Sequence, residues 1–155
     1  MKGLFKLLIL IIYVINLNYC KSTSGEDNAK NEEKVATQLL CIEQIMASDD
    51  SLGRIRNHAC ENISLSETIA NYIGSLEALN YEDCPKAFTE SFKQHIAAWK
   101  SITKMTDHYS GLRGEMHDLF KEIEEGDEGE EFKELVKSIW DTWADVEQSI
   151  AVQKE

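Results

Sequence analysis

Three cysteines in the body of the chain, Cys41, Cys60 and Cys84, offer the plainest chemistry in this sequence. Outside the cytoplasm such thiols oxidise to disulfides. Cys60 and Cys84 flank a single helical segment, and a bridge between them is the first expectation. That helix, of about 16 residues, spans about 24 Å, so its flanking loops must fold back to bring the Cα atoms within about 7 Å. Cys41 lies on the flank of an earlier apolar stripe and is an alternative partner for either. The odd number leaves one thiol, expected to be buried and inert. No two cysteines have C-x-x-C spacing, which leaves redox catalysis and zinc ribbons without support.

His95 stands on an apolar stripe between Phe92 and Trp99. One role for such a residue is a metal or haem ligand inside a bundle, with Met46, Met105 or Met116 as second axial ligand. The other, and the expected one, is a core histidine bonded to a backbone or acidic partner. Covalent haem attachment is excluded, because C-x-x-C-H does not occur. His58, His108 and His117 are scattered, and H-E-x-x-H is absent. Trp140 and Trp143 are three residues apart and read as core residues or as the wall of a ligand site. His95, Trp99, Trp140 and Trp143 are therefore the candidate ligand-contacting residues. The acidic run Glu122–Glu131 lacks the spacing of a calcium loop and reads as a solvated turn between helices. Asn62-Ile63-Ser64 is a glycosylation sequon, meaningful only in a eukaryotic secretory route. Neither G-x-S-x-G nor a phosphate loop occurs, so no catalytic residue, metal site or cofactor is expected.

The elements that must position these residues are helices. Pro85 is the single proline, glycine is sparse, and the apolar residues recur at helical spacing. The first helix is expected over 31–46, with Val35, Leu39, Ile42 and Met46 as its stripe, widened by Ala36 and Ile45, ending in the turn-like Ser48-Asp49-Asp50-Ser51. Residues 52–63 read as a short helical turn followed by a loop. Ser64-Leu65-Ser66-Glu67 fits a capping box. The helix it opens carries Leu65, Ile69, Tyr72, Ile73, Leu76 and Leu79, with Gly74 expected where a neighbouring helix approaches closely. Asp83-Cys84-Pro85 opens the next helix, since proline is tolerated in a first turn; its stripe is Phe88, Phe92, His95, Ile96, Trp99 and Ile102. A fourth helix is expected over 112–124 and a fifth from Glu130 to about Val152, with Phe132, Val136, Ile139, Trp143, Val146 and Ile150 alternating at three and four as a bundle seam does. The fold class is all-α, an up-and-down bundle of four to five helices forming one domain over 32–153.

The N-terminus reads differently. Lys2 and Lys6 precede an apolar run from Leu7 to Leu17, broken by Tyr13 and Asn16, and a polar stretch follows Cys20. This is the layout of an export signal. The run is too short for the roughly 20 residues of a membrane-spanning helix. Residues 1–20 are the expected signal, and 21–31, polar and without periodicity, a flexible tether. The full chain has 16 Lys plus Arg against 28 Asp plus Glu. Without Lys2 and Lys6 the balance is 14 against 28, or −14. Such a surface repels phosphate backbones, so nucleic acid is not an expected partner, and it repels anionic lipid as well.

Leu17-Asn18-Tyr19-Cys20 resembles a bacterial lipobox, in which a Leu stands three residues before a Cys that is lipidated and becomes the mature N-terminus. Leu17 and Cys20 match that pattern; Asn18 and Tyr19 depart from it. The resemblance implies lipidation at Cys20 and attachment to a membrane through lipid alone. The stretch Asp83–Phe88 with Phe92 and His95–Trp99, and the closing Ile139–Glu147, are similar to small uncharacterised helical proteins exported by bacteria, a resemblance that brings no activity. Together these imply a non-enzymatic cell-envelope lipoprotein, or a periplasmic or secreted protein, that binds an envelope or extracellular protein. The alternatives are an exported ligand- or haem-binding bundle using His95, and an inhibitor of a secreted hydrolase.

Overall fold

A computed structural model describes residues 24–153, with side chains from residue 28 onward. Cys20 and the signal segment lie outside the described residues. Five α-helices follow one another among those described: α1 (Ser24–Ala59), α2 (Leu65–Glu77), α3 (Lys86–Thr106), α4 (Met116–Glu124) and α5 (Gly129–Val152). A 3₁₀ turn, Asp107–Tyr109, follows α3. No described helix is long and apolar enough to cross a membrane.

α1 departs most from the sequence reading. It is 36 residues long. Residues 24–31, expected as a tether, include its opening turns, with exposed side chains from 28. The described part of the unit ending at Val35 is this exposed helix, and the packed core belongs to the unit from Ala36 onward. Nor does α1 stop at Ser48–Ser51. Ser and Asp favour turns when their side chains compete for nearby backbone, and here three of the four, Ser48, Asp49 and Asp50, find partners that a helix allows. Ser48 Oγ donates to the Gln44 carbonyl at 2.8 Å. Asp50 pairs with Arg54, one turn on. Asp49 accepts the Tyr72 hydroxyl proton at 2.5 Å. The expected stripe is buried at Ile42 and Ile45, with Cys41 on its flank, but not at its start, where Val35 and Ala36 are exposed.

α2 begins with half of the capping box: Ser64 Oγ accepts from the Glu67 N–H at 3.2 Å, without the reciprocal bond from the Ser64 N–H to the Glu67 carboxylate. Leu65, Ile69, Tyr72, Ile73 and Leu76 are all buried. Gly74 does not mark a close helix approach, because a Cβ there would meet nothing within 4 Å. α3 is the centre of the bundle. It packs on α5 most extensively and on α2, and Phe88, Phe92, His95, Ile96, Trp99 and Ile102 are buried as their spacing predicts. Each fully buried aromatic of this kind contributes about 1.5–3 kcal/mol.

α4 starts at Met116 rather than Leu112, because the preceding segment is tied elsewhere. The Leu112 carbonyl accepts from Leu65 N–H and the Gly114 N–H donates to the Cys60 carbonyl, each at 2.9 Å. Gly114 holds φ 154°, a conformation other residues rarely adopt. The Glu115 carboxylate then caps α4 by accepting from the N–H groups of His117 and Asp118 at 2.8 and 3.1 Å. The acidic run forms the α4–α5 turn, and Glu130 and Glu131 lie in the first turn of α5, where they favour the helix dipole. Gly129 is needed there: a Cβ would sit 2.0 Å from the Glu124 carbonyl oxygen.

The disulfide joins Cys41 to Cys84, not Cys60 to Cys84, with Cα atoms 5.1 Å apart. The 13 residues of α2 hold Cys60 and Cys84 at opposite ends of about 20 Å of helix. Cys41, on the buried face of α1, meets the chain where it enters α3. Among the described residues Cys60 is the free thiol, and it is buried. Its Sγ donates to the Arg56 carbonyl at 3.3 Å.

Candidate ligand-binding site

Four helices bring polar and aromatic side chains to one place. α3 presents His95 and Trp99 one turn apart on its buried face. α5 supplies Ile139, Thr142 and Trp143, with Trp140 beside them. α2 supplies Tyr72. Asp49 and Arg56 are seven residues apart on α1, two turns, and so share a face.

His95 is held in one tautomer. The Trp99 Nε1–H donates to His95 Nε2 at 3.1 Å. An indole nitrogen only donates, so Nε2 carries no proton. Nδ1 then carries it and donates to Thr142 Oγ1 at 3.2 Å. The Thr142 hydroxyl hydrogen goes to the carbonyls of Ser138 and Ile139, at 2.8 and 3.0 Å. The Trp143 ring lies 5.1 Å from the imidazole, centroid to centroid. Burial, opposed by a hydrogen bond to the Ile139 backbone and aided by the Arg56 charge, pushes His95 down to about 4. Both ring nitrogens are engaged, which leaves no free lone pair for a metal in this arrangement. No group of three His, Cys, Asp or Glu side chains that could hold a metal ion occurs among the described residues.

Arg56 is half-buried between two rings, with Cζ 4.2 Å from the Trp99 centroid and 4.5 Å from that of Tyr72. Those rings meet edge to face at 5.3 Å. A desolvated cation on aromatic faces gains about 2 kcal/mol. Arg56 Nε and Nη2 donate to Asn57 Oδ1 at 3.3 and 3.2 Å. Among the described residues no carboxylate lies within ion-pair distance of Arg56, although the Asp49 carboxylate acts on it as a nearby opposite charge. Asp49 is committed to the Tyr72 hydroxyl, and burial raises its pKa. The Cys60 thiol nearby is also pushed up by burial, the opposite of an activated nucleophile.

Trp140 is 66% exposed and lines two clefts. One, of about 270 Å³, is also lined by Asp49, Tyr72, His95 and Trp143. The other, of about 490 Å³, has Met116, Phe120, Val136 and Ile139 as apolar walls, with Lys121 and Glu124 also along it. Arg56 and Trp99 line both.

The four residues singled out from the sequence thus converge, with His95, Trp99 and Trp143 packed together and Trp140 facing solvent. Arg56, Asp49 and Tyr72 were not anticipated at this site. Their signal was the seven-residue spacing of Asp49 and Arg56, hidden by reading 52–63 as mainly loop. Comparison with protein-family models, curated proteins and solved structures finds no match to this chain.

Proposed function

We propose that this chain is a non-enzymatic, exported envelope protein, tethered by lipid on Cys20, that binds a protein partner with the surface around Trp140. The observation that carries the reading is Trp140 itself, 66% exposed between two clefts. Tryptophan is highly buried on average, and it dominates the binding energy of protein interfaces where it is presented to a partner. The Cys41–Cys84 bridge supports export, because disulfides persist in oxidising compartments. With the chain at −12, lipid rather than surface charge is what would hold it to a bilayer. Haem binding through His95 is the weaker alternative, since Trp99 and Thr142 occupy both imidazole nitrogens. A secreted hydrolase, in the inhibitor reading, would be one identity for the partner.

The test is site-specific photo-crosslinking in intact cells, with benzoylphenylalanine at position 140 and, as control, at Glu90 on the exposed side of α3. The expected result is a discrete adduct from position 140 and none from position 90. Equal adducts from both positions, or none from 140, would overturn the proposal.

A further inference from the structure

The larger cleft beside Trp140 combines an apolar trough with a cation that has no carboxylate within ion-pair distance among the described residues. Its walls are Met116, Phe120, Val136, Ile139, Trp99 and Trp140. Its volume, about 490 Å³, falls in the roughly 300–1,000 Å³ range of small-molecule sites. At one point in the trough sits Arg56, fixed between the Tyr72 and Trp99 rings; the Asp49 carboxylate acts on it from beyond ion-pair distance and lines the other cleft, not this one. A guanidinium presents five donors in a rigid fork that matches a carboxylate, and Asn57 takes up two of them. Lys121 adds a second cation along the cleft, held only loosely by Glu125 at 3.9 Å. Glu124 is the carboxylate on the same cleft.

These cations stand out on a chain with 28 acids against 16 bases. Long-range repulsion of an anion is screened beyond about 8–10 Å at ordinary salt, so the local charge decides what the trough accepts. A cation half-buried between rings is reached by a slim head group, and the apolar walls then cover the body behind it.

We infer that this cleft binds a small amphiphilic carboxylate, of the fatty-acid or aromatic-acid class, with its head on Arg56 and its body along Met116, Phe120, Val136 and Trp140. This is a binding activity separate from the protein partner proposed above, and it does not depend on that reading. The carboxylate makes the direct ion pair that Asp49, turned to the Tyr72 hydroxyl, does not make with Arg56, and the trough shields the tail from water.

The test uses sodium decanoate, with decanol and decyltrimethylammonium as head-group controls, each below its micellar concentration. Binding to the full chain is read by tryptophan fluorescence and calorimetry. Decanoate is expected to saturate one site at least tenfold more tightly than decanol, with the ammonium weakest. Arg56→Gln is expected to weaken decanoate at least tenfold and leave decanol unchanged. Trp140→Ala, at an exposed position that does not challenge folding, is expected to weaken decanoate and decanol alike. Absence of saturable binding, equal affinity for decanoate and decanol, or unchanged decanoate binding in either variant would overturn the inference. Crosslinking from position 140 reports on the protein partner independently, so either proposal fails without the other.

Discussion

Replacing Cys41 and Cys84 together by alanine is expected to lower unfolding stability by about 4 kcal/mol. The bridge closes a loop across 43 residues of sequence separation, and closing such a loop removes that much chain entropy from the unfolded state in the entropic model. The fold gives the bridge a particular task. α1 makes few close backbone approaches to the rest of the bundle, and beyond the bridge its main ties include Asp49 to Tyr72 and Arg56 to the Tyr72 and Trp99 rings. Losing the bridge should therefore loosen α1 first, seen as faster amide exchange along 41–59. Urea unfolding with and without reductant measures the effect. Reductant should shift the wild-type midpoint and leave that of the double variant unmoved. A wild-type midpoint insensitive to reductant would count against the bridge.

The second large effect is a loss of stability in mild acid that His95 accounts for. In the unfolded chain the imidazole takes up its proton near pH 6.5, whereas burial in the fold holds it down to about 4. Between those values the unfolded state binds more protons, so stability rises with pH across the window. The contribution is complete above about pH 6.5 and disappears as pH falls toward 4. The gap corresponds to about 3 kcal/mol. Its main origin is burial, and a proton on Nε2 would also face the Trp99 N–H that now donates to it. Asp49 acts in the opposite sense, because its raised pKa makes the fold the tighter proton binder above the ordinary carboxylate range. The informative quantity is therefore the difference between wild type and His95→Gln, measured by urea unfolding from pH 7 to pH 4. It should shrink by most of that 3 kcal/mol toward pH 4. A difference that stays constant would show that His95 is not held neutral by the fold.

The parts of the fold that could be read from sequence are those where one physical signal dominates. The stripes of α2, α3 and α5 are single apolar faces at helical spacing, and Leu65, Phe88, Phe92, Phe132 and Val146 are fully buried as that spacing requires. The length of α1 was not legible. Ser48, Asp49 and Asp50 carry turn propensity, and what overrides it in part is tertiary: the Tyr72 hydroxyl that Asp49 accepts lies 23 residues away. Helix ends set by a loop's remote pairing, as at 112–115, leave no local trace either. The disulfide failed for a related reason. Their places on either side of one helix favoured Cys60 with Cys84, with Cys41 as the alternative partner, but that rigid helix separates its own ends, and the partner came from another helix. At the site, His95, Trp99 and Trp143 could be found because they lie on two legible stripes. Arg56 could not, since a lone arginine in a mixed-charge segment looks like solvated surface until Tyr72 and Trp99 are placed on either side of it.

Non-reducing peptide mapping of the protein taken from intact cells tests most directly whether this is an exported bundle stapled by one bridge. Export predicts a Cys41–Cys84 cross-linked peptide, a free Cys60, and a mature chain that begins at a lipid-modified Cys20. A chain that keeps residues 1–19, carries an unmodified Cys20 and has Cys41 and Cys84 as free thiols would contradict it.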